Sequence, residues 1–261
     1  MKNADNDQLI AKRLVEQTLT NWVNPELERR KATGELKDSF VLKAAQIIFS
    51  VGGKNLVRIN GEVKVIIEAK INRPIKKGEE IFNKDVDDIR SFRLVGEEKD
   101  FGHITIVHLT KGWFVGFSFI YDVSKSKKLY DIAIEFMKSA YSDLENKQYR
   151  PFVESALIAA ENLAKARIYL IPDQEIRKAK THGLVHGKVN SYAKTDSLIK
   201  ISYKDGFNKL VKLRDKARYS PHFSMNHNEA EIIFKSLKEM SKEIFIYLVR
   251  FGEVEGAGAT I

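Results

Sequence analysis

The sequence predicts an α+β protein: a β-rich N-terminal domain with short leading helices, followed by an all-α helical bundle. Two observations lead to that class and a third bounds it. Up to about Asp122 the apolar residues recur at every second position, as strands require; beyond it they recur at every third and fourth, as helices require. Glycine-bearing turn dipeptides punctuate the first half, whereas prolines at 151, 172 and 221 punctuate the second. At 261 residues the chain is comfortable for two domains, placed at 1–124 and 125–251, with a glycine-rich tail at 252–261 expected to be disordered.

Asp5, Asn6 and Asp7 offer N-caps to a first helix that carries Leu9, Ile10, Arg13, Leu14 and Thr18. Pro25 opens a second short helix and Gly34 ends it. "SVGGKN" (50–55) lacks the spacer and the Lys-Ser/Thr ending of a phosphate loop and reads as a hairpin turn. In "EVKVIIEAKI" Val63, Val65, Ile67, Ala69 and Ile71 share one face of a half-buried strand, which Asn60-Gly61 links to "NLVRI" as a hairpin. Residues 72–101 read as loops with one strand around "SFRLV". "HITIVHLTKGWFVGFSFIYD" is a second hairpin about Lys111-Gly112, with Trp113, Val115, Phe117 and Phe119 on one face.

The helical half opens with "KLYDIAIEFMKSAYSDLEN", where Leu129, Ile132, Ala133, Phe136, Ala140 and Leu144 form the apolar stripe. A second helix starts near Pro151 and ends at Pro172. Further helices are expected near 174–192, 196–219 and 227–250.

Composition narrows the functional classes. With 43% hydrophobic and 30% charged residues the chain can bury a core. No apolar run reaches the ~18 residues of a membrane span, and "MKNADNDQLI" does not read as a signal peptide. The chain has no cysteine, so disulfides, thiolate metal sites and cysteine nucleophiles are excluded. The expected location is the cytoplasm. The net charge of +9 favours polyanionic partners, nucleic acid first. The excess gathers in the second half: from Lys204 to Arg218 six Lys or Arg face two Asp, and from Lys178 to Lys188 there are three lysines, two histidines and no acid.

The fourth of the C-terminal helices carries the densest chemistry, in "KLRDKARYSPHF" (212–223). With Leu210 at zero and about 100° per residue, Phe207, Leu213 and Ala217 define an apolar face, and Arg214 falls inside it at roughly 40°. Arg218 sits at its edge, while Lys212 and Lys216 lie on the far side. An arginine in an apolar stripe needs a carboxylate such as Glu154 or Glu161, a subunit interface or a cleft that receives an anion. Pro221 ends the helix near Tyr219 and leaves His222 on a turn just beyond it.

Three pieces together resemble the HEPN family of small helical-bundle domains, over about residues 127–250. "ALIAAENLAKARIYLI" is similar to the family's alanine-rich helix, "KTHGLVHGKVNSY" to its His-containing segment, and "LVKLRDKARYSPH" to the helix in which an arginine and a polar residue precede a histidine. The resemblance implies a metal-independent endoribonuclease built as a homodimer, acting as a toxin or in anti-phage defence, with an antitoxin or a sensor protein as partner. Arg214 and Asp215 match the Arg-polar pair. Arg214 would stabilise the developing charge and His222 or Tyr219 would move protons, while Arg218, Lys212, Lys216 and His182 hold RNA. No cofactor and no metal are expected. The chain departs from the pattern in one respect: seven residues separate Arg214 from His222, and Tyr219 stands where the histidine is often found. That variant implies the alternative, a non-catalytic module binding RNA, a nucleotide or a protein partner through a basic dimer cleft.

Other clusters read as structure. His182 and His186 have metal-pair spacing but no third ligand in view. Asp85, Asp87 and Asp88 lack a calcium loop's glycine and distal glutamate and read as a solvated turn. His103 and His108, five apart on a strand, face opposite sides.

Overall fold

A computed structural model describes residues 2–50, 52–178, 182–195 and 198–250; the tail at 252–261 lies outside them. The chain divides into two compact units, Met1–Ile120 and Tyr121–Ile261.

In the first unit, α1 (Lys2–Thr18) runs through a π-helical turn at Leu19–Val23 into α2 (Asn24–Ala32). Asp5, Asn6 and Asp7 lie within α1 instead of capping it. Pro25 lies in the first turn of α2, directly after the π-helical turn. Six strands follow: β1 (Ala44–Phe49), β2 (Leu56–Ile59), β3 (Ile66–Ile71), β4 (Val86–Arg93), β5 (Gly102–Leu109) and β6 (Gly112–Ser118). An antiparallel sheet in the order β2-β1-β5-β6 lies beside a separate ribbon, β3-β4. Val15 and Val23 of the helical arm pack on Ala45, Ile47, Ile59, Ile104 and Ile106, which share one face by the period of two. The other face at the sheet centre is polar and satisfied. Gln46 Nε2 donates to the Lys64 carbonyl at 3.0 Å and to Thr105 Oγ1 at 3.3 Å, and His103 Nδ1 lies 3.0 Å from the same hydroxyl.

The hairpins β1-β2 and β5-β6 form as the turns at 50–55 and 111–112 predict. Asn60-Gly61 does not make a hairpin. A two-residue hairpin turn of this composition needs φ > 0 at both positions. Asn60 has φ 45°, but Gly61 is not among the positive-φ residues, so the chain continues through a 3₁₀ turn at Asn60–Glu62 without reversing. The Asn60 side chain instead accepts from the Lys43 and Ala44 amides at 2.7 and 3.1 Å, and β3 pairs with β4. The two-stranded ribbon leaves Ile66 and Ile67 exposed, at 50% and 39%, so β3 is less buried than its alternation predicts. The strand expected near "SFRLV" is the longer β4, which also holds Asp87 and Asp88. Asp85 is buried, not solvated: Arg73 and the Phe82 amide bind its carboxylate and hold its pKa down to about 2. On β6, Trp113 and Val115 pack on the core, while Phe117 and, just past the strand, Phe119 stay exposed.

The second unit is helical: α3 (Val123–Glu145), α4 (Tyr149–Tyr169), α5 (Gln174–Lys178), α6 (His182–Thr195), α7 (Ile201–Tyr219) and α8 (His227–Arg250). All the others pack against α4. Its alanines at 156, 159, 160, 164 and 166 are fully buried, and their small side chains let neighbours approach from several sides. The buried stripe of α3 runs through Tyr130, Ala133, Met137, Ala140 and Leu144, so Tyr130 and Met137 replace the expected Leu129 and Phe136, and Ile132 is exposed. Of the helix expected at 174–192, the described parts are α5 and α6, residues 179–181 lying outside the described residues, and the next helix begins at Ile201. No helix among the described residues is long and apolar enough to cross a membrane.

Candidate functional site

The motif helix α7 is anchored along its first half. Tyr203, Gly206, Phe207 and Leu210 are buried, and Tyr203 donates its hydroxyl hydrogen to the Ala160 carbonyl of α4. Burial beside α4 pushes the Tyr203 phenol far above its ordinary range. Farther along, α7 runs antiparallel to α4 and reaches that helix's first turns. There Arg150 clamps its end, donating to the carbonyls of Ala217 at 2.5 Å, Ser220 at 2.6 Å and Pro221 at 3.3 Å. Its guanidinium also lies 5.4 Å from the Phe223 ring centroid. The last carbonyls of a helix lack partners within the helix, and a cation there satisfies them and complements the dipole. The turn that carries His222 is therefore held at Ser220 and Pro221.

Arg214 is exposed. Its azimuth matches the apolar face, but azimuth does not bury a residue. The core contact ends at Leu210 and resumes only at Ala217, with Leu213 half-buried between them. Among the described residues Arg214 makes no hydrogen bond or ion pair. The carboxylate pairing expected of it belongs to Arg218: Nε and Nη2 donate to the two Glu154 oxygens at 2.6 and 2.5 Å. The Arg218 hydrogen bond holds the Glu154 carboxyl below its ordinary pKa, and the charges of Arg218 and Arg214 add to that. Glu154 and, more weakly, the neighbouring Tyr219 raise the Arg218 guanidinium in turn. Tyr219 is 77% exposed. Lys212, Asp215, Lys216 and His222 are exposed as well.

Arg214, Arg218, Glu154 and Tyr219 are therefore neighbours at the end of α7. Asp215 is about 100° round the helix from Arg214, and Lys212 and Lys216 lie on the opposite side, as the helical period dictates. The side chain of His182 lies outside the described residues. His186 is engaged: its Nε2 lies 2.6 Å from Asn208 Oδ1, and Asn190 bridges the same group. Among the described residues no group of three or more His, Asp or Glu gathers as a metal site would require. A groove of about 810 Å³ opens between α3 and α8, lined by Tyr130, Tyr141, Phe234 and Phe245, and no α7 residue lines it.

Sequence reasoning missed Arg150 as the clamp of this end of α7. It raised Glu154 only as a partner for Arg214. Arg150 lies 67 positions from Ala217 and Glu154 lies 64 from Arg218, so no local pattern joins them.

A family model for the HEPN domain matches residues 126–245, from the start of α3 almost to the end of α8. No curated protein matches the chain.

Proposed function

We propose that the chain is an endoribonuclease effector needing no metal ion, of the toxin or anti-phage class, on the premise of the match of residues 126–245 to the HEPN domain family, whose members are often ribonucleases or nucleotide-binding effectors. The observation that carries the reading is the end of α7: an Arg214 that is exposed and, among the described residues, unpaired, on the helix that leads into a turn bearing His222, which Arg150 holds in place. In the proposed step the RNA 2′-hydroxyl attacks the adjacent phosphorus and the bond to the 5′-oxygen breaks. One proton leaves the 2′-oxygen and one reaches the 5′-oxygen, so the products are a 2′,3′-cyclic phosphate and a 5′-hydroxyl. Arg214 stabilises the charge that grows on the phosphoryl oxygens, and His222 carries the protons. A second copy of the chain, packed along the exposed part of the α7 face, would enclose Arg214 and supply another His222. Lys212 and Lys216 track the RNA backbone outside that centre.

A specific observation favours a second reading, a non-catalytic module that binds RNA, a nucleotide or a protein partner. Arg218 is committed to Glu154, and seven residues lie between Arg214 and His222. One experiment separates the two: cleavage of RNA in EDTA by wild type, Arg214→Ala and His222→Ala. The nuclease reading expects cyclic-phosphate ends from wild type and a loss of about a hundredfold or more in each variant. Salt-sensitive binding without cleavage across varied RNAs would establish the module instead.

A further inference from the structure

We infer that Glu154 is a built-in stand-in for phosphate: its carboxylate occupies the anion seat that the Arg218 fork forms, and RNA displaces it to engage Arg218. The inference rests on the proposed reading of this site as an RNA-binding one.

The geometry is the first argument. Arg218 presents Nε and Nη2 to both Glu154 oxygens, at 2.6 and 2.5 Å. That two-pronged fork matches a carboxylate and a phosphate equally well. Charge is the second. Arg214 stands one turn before Arg218, roughly 40° away around the helix, and its field reaches Glu154. Arg218 alone grips the carboxylate, and the nearby charge of Arg214 leaves the seat with an excess positive charge that a phosphodiester monoanion would satisfy. Exposure is the third. The side chains of Arg218 and Glu154 are 37% and 30% exposed, so an incoming anion reaches both without opening the core. Both groups are solvent-accessible and screened by salt, so one anion can exchange for another.

The arrangement has a use. A chain with net charge +9 attracts polyanions indiscriminately. An internal carboxylate in the seat lowers the affinity for any single anion, while a strand that also meets Arg214 still displaces it.

The test is binding of a fluorescent, 2′-O-methylated single-stranded oligoribonucleotide, which cannot be cut, by the full chain and by Glu154→Gln and Glu154→Ala. Removing the competing charge is expected to tighten the Kd about threefold to tenfold. It should also steepen log K against log salt by about 0.7, the increment for one more phosphate contact on a single strand. The gain should vanish in Glu154→Gln combined with Arg218→Ala. Unchanged or weaker binding in both Glu154 variants would overturn the inference and make Glu154 a mere support for Arg218. A second readout is independent of nuclease activity. In Glu154→Gln, inorganic phosphate should shift the Arg218 Nε–H resonance at concentrations that leave wild type unaffected. That shift without any cleavage of RNA by wild type would keep the inference and discard the nuclease reading. No shift with either phosphate or the oligonucleotide would discard the inference itself.

Discussion

His103, on β5, is nearly sealed from solvent, and burial pushes its pKa down to about 4 from 6.5. The folded-state value lies below the unfolded one, so the neutral ring is the form the fold stabilises. Above pH 6.5 both states are neutral and the contribution is complete. Between pH 6.5 and 4 the unfolded chain takes up a proton that the folded chain refuses, so stability falls with pH, by about 3 kcal/mol at most. Urea midpoints between pH 7.5 and 4.5 should decline more steeply for wild type than for His103→Gln; parallel profiles would refute the assignment. Histidine in a strand is legible in a sequence, and so is the face it takes. Its burial is not, because that depends on the Gln46–Thr105–Lys64 arrangement, which is assembled from three separate segments. Arg218 illustrates the same limit. The wheel put Arg214 in line for a carboxylate, but which arginine meets Glu154 depends on the axial position of α4 against α7.

Among the elements, the pairing of α7 with α8 turns on Gly206. A Cβ at that position would lie 2.7 Å from Ser236 Oγ, and that hydroxyl donates to the Ile233 carbonyl at 2.7 Å. Alanine is favoured over glycine inside a helix by about 1 kcal/mol, but here the gain is offset by displacement of a bonded hydroxyl, a loss of similar size. Gly206→Ala should therefore be close to neutral in wild type and stabilising by about 1 kcal/mol in a Ser236→Ala background. A double-mutant cycle in urea measures the coupling, and strictly additive effects would count against the contact. Gly116 on β6 tells the same story: an added Cβ would stand 2.0 Å from Phe92 of β4, so the glycine inside "WFVGFSF" marks where the ribbon meets the sheet. The two hairpins about glycine turns were readable because turn geometry is local. The Asn60-Gly61 hairpin was misread because the dipeptide satisfies the composition of the turn without adopting its second positive φ.

At the scale of the molecule, each unit has its own core. Val15, Val23 and the β1-β5 residues close the first, and α4 stands at the centre of the second. Residues 121–250 alone are therefore expected to fold, giving a helical circular-dichroism spectrum and a cooperative melt; a broad, non-cooperative transition would show that the helical unit depends on residues 1–120. By itself the sequence determined the change of period near Asp122, the order of strands and helices, the resemblance of the second half to HEPN domains, and the concentration of basic residues on α7. These follow from local spacing, which the chain carries wherever it is placed. Only the tertiary structure decided that β3 leaves β2 for β4, that Arg150 holds the His222 turn, that Arg218 takes Glu154 and that Arg214 stays exposed and, among the described residues, unpaired. Those outcomes join residues dozens of positions apart. Packing of α4 against α7 and of ribbon against sheet sets them, and neither packing leaves a period in the sequence.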